Sequence, residues 1–276
     1  MNKVSYPNFK QFLLLVILFF TSFFVFYLIA IIFGSQLLHS NSAFNPIFVN
    51  FLLPAGSPIC TIPLIIYVSR KSGIPVKWTI KLPRIHFVLF LVLLAISTVI
   101  ITQPFIYPFE YFSNLIEGRF RFIEFVMPKF NLLIVIKFIF IVFIAPIFEE
   151  IFWRKQIFRL LLKKYSPAMA IVLSSVLFAC GHLRIYDFGS LFIWGLLYCF
   201  VYYKSKSIEF SILLHSISNV THFFVKRVFI DIDEIQFFKY TMIMVISAIV
   251  AFGVISYLRR HTSTKKNYGN DDPVAL

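Results

Sequence analysis

Long apolar runs separated by short polar, mostly basic segments make up nearly the whole chain. A bilayer core requires about 20 consecutive apolar residues per helix, and these runs come close to that length. The pattern therefore predicts an all-α, polytopic integral membrane protein with about eight transmembrane helices. The predicted spans lie near 11–33, 46–69, 86–106, 131–153, 167–183, 188–203, 208–225 and 237–258.

The second span contains Pro54, Pro58 and Pro63, and we expect it to be kinked or broken. The segment 107–130 alternates aromatic and charged residues. Two interpretations are open for this segment: an amphipathic helix at the membrane interface, or an ordinary connection within an aromatic belt.

Composition narrows the class of protein in two respects. Of the 276 residues, 59% are hydrophobic, which is more than a soluble domain of this length can bury. The formal net charge is +14, but the basic residues cluster in short loops between apolar runs, which indicates a membrane surface and not nucleic acid. We expect a single transmembrane domain over residues 1–260, with a short polar tail over 261–276.

The Lys and Arg residues concentrate in alternate loops, as in 70–84, 155–164 and 259–266. The positive-inside rule then places both termini in the cytoplasm, and an even number of spans agrees. We expect a multi-pass location in a bacterial plasma membrane. The lipid bilayer is the first predicted partner.

Few ionisable side chains lie inside the spans, and such groups usually face a bundle interior or a water-filled cavity. They fall mainly on the fourth, fifth and seventh spans. The candidate polar side chains on these spans are Glu149, Glu150, Arg154, His182, His215, Asn219 and His222, and the aromatic residue Phe178 lies four residues before His182.

Helical spacing separates the roles of the two glutamates. Glu150 and Arg154 are four residues apart and can pair on one helix face. Glu149 is rotated by about 100° from Glu150, so the two acids face different surroundings. His215 and Asn219 also share a face, and His222 continues it.

Depth brings several of these groups to one level. With a rise of about 1.5 Å per residue from the basic end of each helix, Glu149 and His182 lie roughly 21 and 22 Å inside. Asn219 lies roughly 18 Å inside and His215 roughly 12 Å. The convergence predicts a buried polar site.

Such a site suits peptide hydrolysis. A glutamate can act as a base toward water, histidines can move protons, and an asparagine amide can stabilise an oxyanion. One glutamate with two histidines also matches a catalytic zinc site with an open position. Water activated by glutamate and water activated by zinc both remain open.

Two other classes of function compete with hydrolysis. A non-catalytic membrane protein for immunity or scaffolding would keep the polar cluster for helix packing. A small-solute transporter also places acids in the membrane, but the sequence has no internal repeat and no paired broken helices. For His222, nearer the end of its span, the structural interpretation is favoured.

The ordered motifs Glu149-Glu150-x-x-x-Arg154, Phe178-x-x-x-His182 and His215-x-x-x-Asn219 resemble the CPBP family of intramembrane proteases. This family is also called the CAAX protease and bacteriocin-processing, or Abi, family. The motif core covers about residues 131–225, and the other spans match nothing distinctive. The resemblance implies a CAAX prenyl endopeptidase-like fold and cleavage of a membrane-associated peptide or protein.

The resemblance also implies roles for single residues. Glu149 matches a glutamate that activates water, and Glu150 pairs with Arg154 and shapes the site. His182 and His215 match the catalytic histidines, and Asn219 matches an oxyanion donor. Phe178 supports the site. A metal, if present, would take Glu149, His182 and His215, since the family has been assigned both with and without zinc. Bacteriocin maturation, self-immunity and peptide signalling are not separated by the sequence.

Overall fold

The chain is helical along most of its length. The fold is given by a computed structural model that describes residues 9–38, 53–74, 84–125, 127–128, 131–231 and 234–261. The predicted polar tail beyond His261 lies outside the described residues. The α-helices are α1 (Phe9–Leu38), α2 (Leu53–Ser72), α3 (Ile85–Ile101), α4 (Pro108–Ile116), α5 (Leu132–Leu162), α6 (Pro167–Gly181), α7 (Phe188–Ser205), α8 (Ile208–Phe223) and α9 (Glu234–His261).

Each predicted span falls on one of these helices, so the helical fold class is confirmed. In the described part of the chain, four helices are long and apolar enough to cross a membrane: Lys10–Ile29, Leu132–Leu162, Ile185–Ser205 and Phe238–His261. Others are apolar but shorter. The 15 residues of α6 extend about 22 Å, less than the roughly 30 Å of a hydrocarbon core. The predicted count of about eight transmembrane helices is therefore not confirmed.

The second span is not broken within its described part. The helix α2 continues from Leu53 to Ser72 with Pro58 and Pro63 inside it. Helix-breaking residues are tolerated in membrane helices when neighbouring groups satisfy the released carbonyls.

A small antiparallel sheet adds to the helices. Strand β1 (Arg119–Phe125) pairs with strand β2 (Val225–Asp231), with Phe122 opposite Val228. Of the two interpretations of segment 107–130, a helix is therefore present in α4, while the described residues 119–125 form a strand. Gly118, at φ +75°, turns the chain from α4 into β1, whose alternating sequence RFRFIEF has the two-residue period of a strand.

The chain forms two compact units, and each is built from separated segments. The first contains residues 1–80 and 129–165, and the second contains residues 81–128 and 166–276. In the first unit α1 packs on α5, where the rings of Phe19 and Phe152 stack with centroids 5.2 Å apart. In the second unit α3 packs against α9, with the Phe90 and Tyr257 rings 4.3 Å apart.

Side-chain caps define where two helices with predicted site residues begin. Asn131 Oδ1 accepts a hydrogen bond from the Ile134 amide at 2.9 Å and starts α5. Ser166 Oγ accepts from the Met169 amide at 3.4 Å, and Pro167 occupies the first position of α6. These caps set the register of the acidic helix and of the His182 helix.

Candidate active site

The two glutamates lie on a short α-helical section of α5 between two π-helical sections. The α-helical section is Ala145–Glu150, and the π-helical sections are Phe140–Ile144 and Ile151–Phe158. A π-helical turn contains an extra residue and changes which side chains share a face, and such turns are frequent at functional sites. Uniform α-helical spacing therefore describes Glu149 and Glu150 but not the residues that follow them.

A buried ion pair joins Glu150 to Arg154. The Arg154 Nε atom lies 3.1 Å from Glu150 Oε2, and both side chains are 0% exposed. A buried charge is stable only with a charged or hydrogen-bonding partner, so each residue depends on the other. The pair fixes Glu150 toward Arg154, while Glu149 is half-buried on the adjacent position of the same helix.

Other polar side chains of α5 are buried beside this pair. Lys155, Gln156 and Arg159 are all buried, and Gln156 Nε2 lies 3.5 Å from the Ile74 carbonyl oxygen. The sequence placed Lys155 and Arg159 in a loop after a span ending at residue 153, and this placement is wrong. The helix continues to Leu162, and Lys155 and Arg159 are buried within its length.

His182 stands at the C-terminal end of α6, in the second unit. Its Nδ1 atom is 2.8 Å from the Phe178 carbonyl oxygen. Because a carbonyl only accepts, this bond places the proton on Nδ1, and in the neutral ring the lone pair is then on Nε2. The next residue, Leu183, has φ +53°, so the chain turns sharply directly after the histidine.

The loop after His182 is held to another part of the second unit. The Tyr107 amide donates a hydrogen bond to the Tyr186 carbonyl oxygen at 2.8 Å, and the two tyrosine rings stack with centroids 5.3 Å apart. Arg184 forms an ion pair with Asp187 in the same loop. These contacts restrict the backbone that follows His182.

His215 lies buried on α8, in contact with aromatic rings from two other helices. Its ring stacks on Tyr198 of α7, with a centroid distance of 4.6 Å and an interplanar angle of 19°. It also meets Phe178 of α6 edge-on at 6.0 Å. Phe178 in turn meets His182 at 4.6 Å. Both predicted histidines therefore contact one buried phenylalanine.

Asn219 and His222 follow His215 along α8. Asn219 lies one helical turn beyond His215 and is half-buried. The His222 Nδ1 atom lies 2.9 Å from the Ser218 carbonyl oxygen, and its ring packs on Trp194 at 5.6 Å. These contacts agree with the structural interpretation that the sequence favoured for His222.

The predicted site residues form two groups. Glu149, Glu150 and Arg154 belong to the first unit, with the last two in direct contact. Phe178, His182, His215 and Asn219 belong to the second, where Phe178 joins the two histidines. Sequence reasoning missed Tyr198 and Trp194. Their spacing of four residues on α7 is visible in the sequence, but so many aromatic residues surround them that it does not stand out.

The metal centre predicted at Glu149, His182 and His215 stays a prediction. Among the described residues, no group of three or more His, Cys, Asp and Glu side chains is arranged to hold a metal ion. A catalytic zinc ion usually takes three protein ligands.

Comparison with known proteins gives one family match, over part of the chain. The family described as Type II CAAX prenyl endopeptidase Rce1-like matches residues 131–221, a range that includes every predicted site residue. No curated protein and no solved structure gives a significant match. The matched range contains the acidic helix α5 and the helices that carry His182 and His215. Residues 131–221 of this chain are therefore similar to the Rce1-like CAAX prenyl endopeptidases, consistent with an intramembrane protease of the CPBP family.

Proposed function

We propose that this protein is an intramembrane endopeptidase in which Glu149 activates water and His182, His215 and Asn219 complete the site. The observation that carries the proposal is the family match over residues 131–221, which contains all of these residues in the expected order. The shared contact of both histidines with Phe178 supports it further, because it holds two proton-transfer groups in one rigid cluster.

The reaction can be written with each proton accounted for. Glu149 removes a proton from water as the water oxygen bonds to the scissile carbonyl carbon. The Asn219 amide donates to the oxyanion that forms. The C–N bond then breaks, and the proton held by the site passes to the leaving nitrogen. In this scheme the histidines orient the water and carry protons.

Glu150 has a different role in this proposal. Its buried pair with Arg154 makes it unsuited to exchange protons with water, since its carboxylate is already committed to the guanidinium. We assign it to shaping the site, as the resemblance implies. The substrate class is a peptide or protein tethered to the membrane, and the lipid bilayer is the medium of the reaction.

A direct assay tests the proposal. A fluorogenic farnesylated CaaX peptide is incubated with the detergent-purified protein, its Glu149→Ala variant and a Glu110→Ala control. Glu110 is an exposed glutamate on α4, outside the family match. We expect cleavage by the wild type and the control, and loss of about 10²–10⁴-fold in kcat for Glu149→Ala. Undiminished cleavage by a folded Glu149→Ala protein contradicts the assignment.

The assay also separates the competing functions. A scaffolding or immunity protein would cleave neither this peptide nor an unprenylated version of it. Cleavage of both peptides at equal rates would support the protease function and show that the enzyme does not require a prenylated substrate.

A separate measurement tests whether the activity requires zinc. Elemental analysis is combined with a chelator titration of the same preparation. Full activity in protein freed of metal supports glutamate-activated water. Stoichiometric zinc that is lost together with activity supports the alternative set Glu149, His182 and His215.

A further inference from the structure

A continuous row of aromatic and imidazole rings crosses the second unit. It joins three helices and contains all three histidines of α6 and α8. Neighbouring rings in the row have centroids 4.6–6.0 Å apart, within the range of favourable ring pairs. In order, the row is His182, Phe178, His215, Tyr198, Trp194 and His222.

Tyr198 makes the most nearly parallel contact in this row. Its ring covers one face of the His215 ring at 4.6 Å and 19°, and the tyrosine is 2% exposed. The other contacts of His215 and His182 in the row are edge-on, with interplanar angles of 82° and 69°. A stacked ring covers the face of an imidazole and leaves its in-plane nitrogen atoms accessible to other groups.

The backbone around Tyr198 is fixed from both sides. Its carbonyl oxygen accepts a hydrogen bond from Ser211 Oγ of α8 at 3.2 Å. Three residues earlier, Gly195 lets α7 approach α6 closely, since a Cβ atom there would lie 3.0 Å from the Ser175 Cα atom. The Tyr198 backbone is thus hydrogen-bonded to α8, and it lies in the part of α7 that approaches α6 closely.

We propose that Tyr198 is a positioning residue for His215, which it holds in one ring orientation through its stacked face. The inference rests on the proposed function, in which His215 takes part in peptide hydrolysis. The χ2 torsion of a histidine is intrinsically broad, so a neighbouring ring is needed to select one orientation of its nitrogen atoms. The aromatic face of Tyr198 makes this selection, and its hydroxyl group is not required for it.

Kinetics of three variants test the role of the ring. Tyr198→Phe keeps the ring, Tyr198→Leu removes it, and Tyr202→Leu removes a buried tyrosine one turn further along α7. With the farnesylated CaaX peptide as probe, we expect Tyr198→Phe to retain the wild-type kcat. Tyr198→Leu should lose about tenfold to 100-fold in kcat with little change in KM, because a misplaced catalytic group lowers the chemical step.

A spectroscopic measurement needs no substrate. In protein labelled with ¹³C-histidine, the His215 ring protons should resonate upfield because they lie over the Tyr198 ring. We expect this shift to persist in Tyr198→Phe and Tyr202→Leu and to disappear in Tyr198→Leu. The His215 signal is assigned by its absence from a His215→Gln variant.

The outcomes separate the two proposals. An unchanged His215 signal or an unchanged kcat in Tyr198→Leu overturns the positioning role. Equal loss of kcat in Tyr198→Phe and Tyr198→Leu also overturns it, since the hydroxyl group would then be the important part. Full activity of Glu149→Ala overturns the proposed function instead, and it does so independently of the His215 signal.

Discussion

The pair Glu150–Arg154 shows how one residue can determine the role of its neighbour. Adjacent glutamates have the same chemistry, yet one lies 3.1 Å from a guanidinium in a fully buried pair. Because the pair is buried, loss of one partner alone should be costly, since the other charge loses its counter-ion. The different roles proposed for Glu149 and Glu150 rest on this difference in surroundings.

Removal of one member of the pair should destabilise the protein strongly. We expect Arg154→Leu to lower the free energy of unfolding by about 3–5 kcal/mol, since it removes the guanidinium that lies against the buried Glu150 carboxylate. The double variant Glu150→Leu/Arg154→Leu should recover much of this loss. Thermal unfolding in detergent measures both, and equal stability of Arg154→Leu and the wild type would rule out this account of the pair.

Single residues also show what the sequence could predict. The spacing of Glu150 and Arg154 predicts their contact, and it is present. The contact of Tyr198 with His215 joins residues on different helices, and local spacing carries no information about it. The burial of Lys155 and Arg159 was missed for a related reason: charged residues after an apolar run indicate a loop unless a neighbouring helix covers them.

At the scale of elements, the close approach of α6 and α7 positions the histidine cluster. Gly195 is the point of contact, where a Cβ atom would also lie 3.0 Å from Ser175 Cβ and 3.3 Å from a Phe178 ring atom. Small residues at helix interfaces in membranes allow this kind of packing. A side chain at position 195 would therefore crowd Phe178, the residue that both histidines contact.

Gly195→Ala should therefore separate these helices. We expect a loss of about 1–3 kcal/mol in the free energy of unfolding, typical of overpacking, and lower peptidase activity. Gly253→Ala in α9 is the matched control, because no atom lies within 4 Å of a Cβ atom placed there. A stable, active Gly195→Ala protein would show that the contact is not important.

The helix α4 presents an apolar face away from the protein. Phe109 and Ile116 are each 88% exposed, while Tyr111 of the same helix is buried. Lipid accounts for such a face in a membrane protein, as the interfacial interpretation of this segment expects. The preceding Tyr107 contacts the loop after His182, so α4 is connected to the candidate site.

Lipid contact of α4 can be measured with a spectroscopic label. Fluorophores attached to Phe109→Cys and Ile116→Cys in vesicles should be quenched by lipids carrying a nitroxide near the headgroup. The control Glu110→Cys lies about 100° around the helix and should be quenched less. Equal quenching at the three positions would contradict an interfacial helix.

The sequence predicted the helices but not the sheet, for physical reasons. The helices follow from long apolar runs, and these runs are visible in the sequence. The sheet was missed because β1 pairs with β2 across more than 90 residues, and the short period of β1 lies within a segment that also contains a helix. The number of membrane-crossing helices depends on the length of each helix. Hydropathy locates the ends of a helix poorly, so it predicts this length poorly.

At the scale of the whole molecule, the predicted site residues are found in two units, each built of separated segments. The glutamates come from residues 129–165, and the histidines and Asn219 from residues 166–276. The family match runs through both segments, from residue 131 to residue 221. The central claim is that Glu149 and the histidines act together on one water molecule.

Groups that act as a unit in catalysis have non-additive effects, so a double-mutant cycle tests this claim most directly. The kcat for the farnesylated CaaX peptide is measured for Glu149→Gln, His215→Gln and the double variant, each confirmed to be folded. If the residues act together, the double variant should be no slower than the slower single variant by more than about threefold. If the two losses multiply, Glu149 and His215 act independently, and the proposed site is wrong.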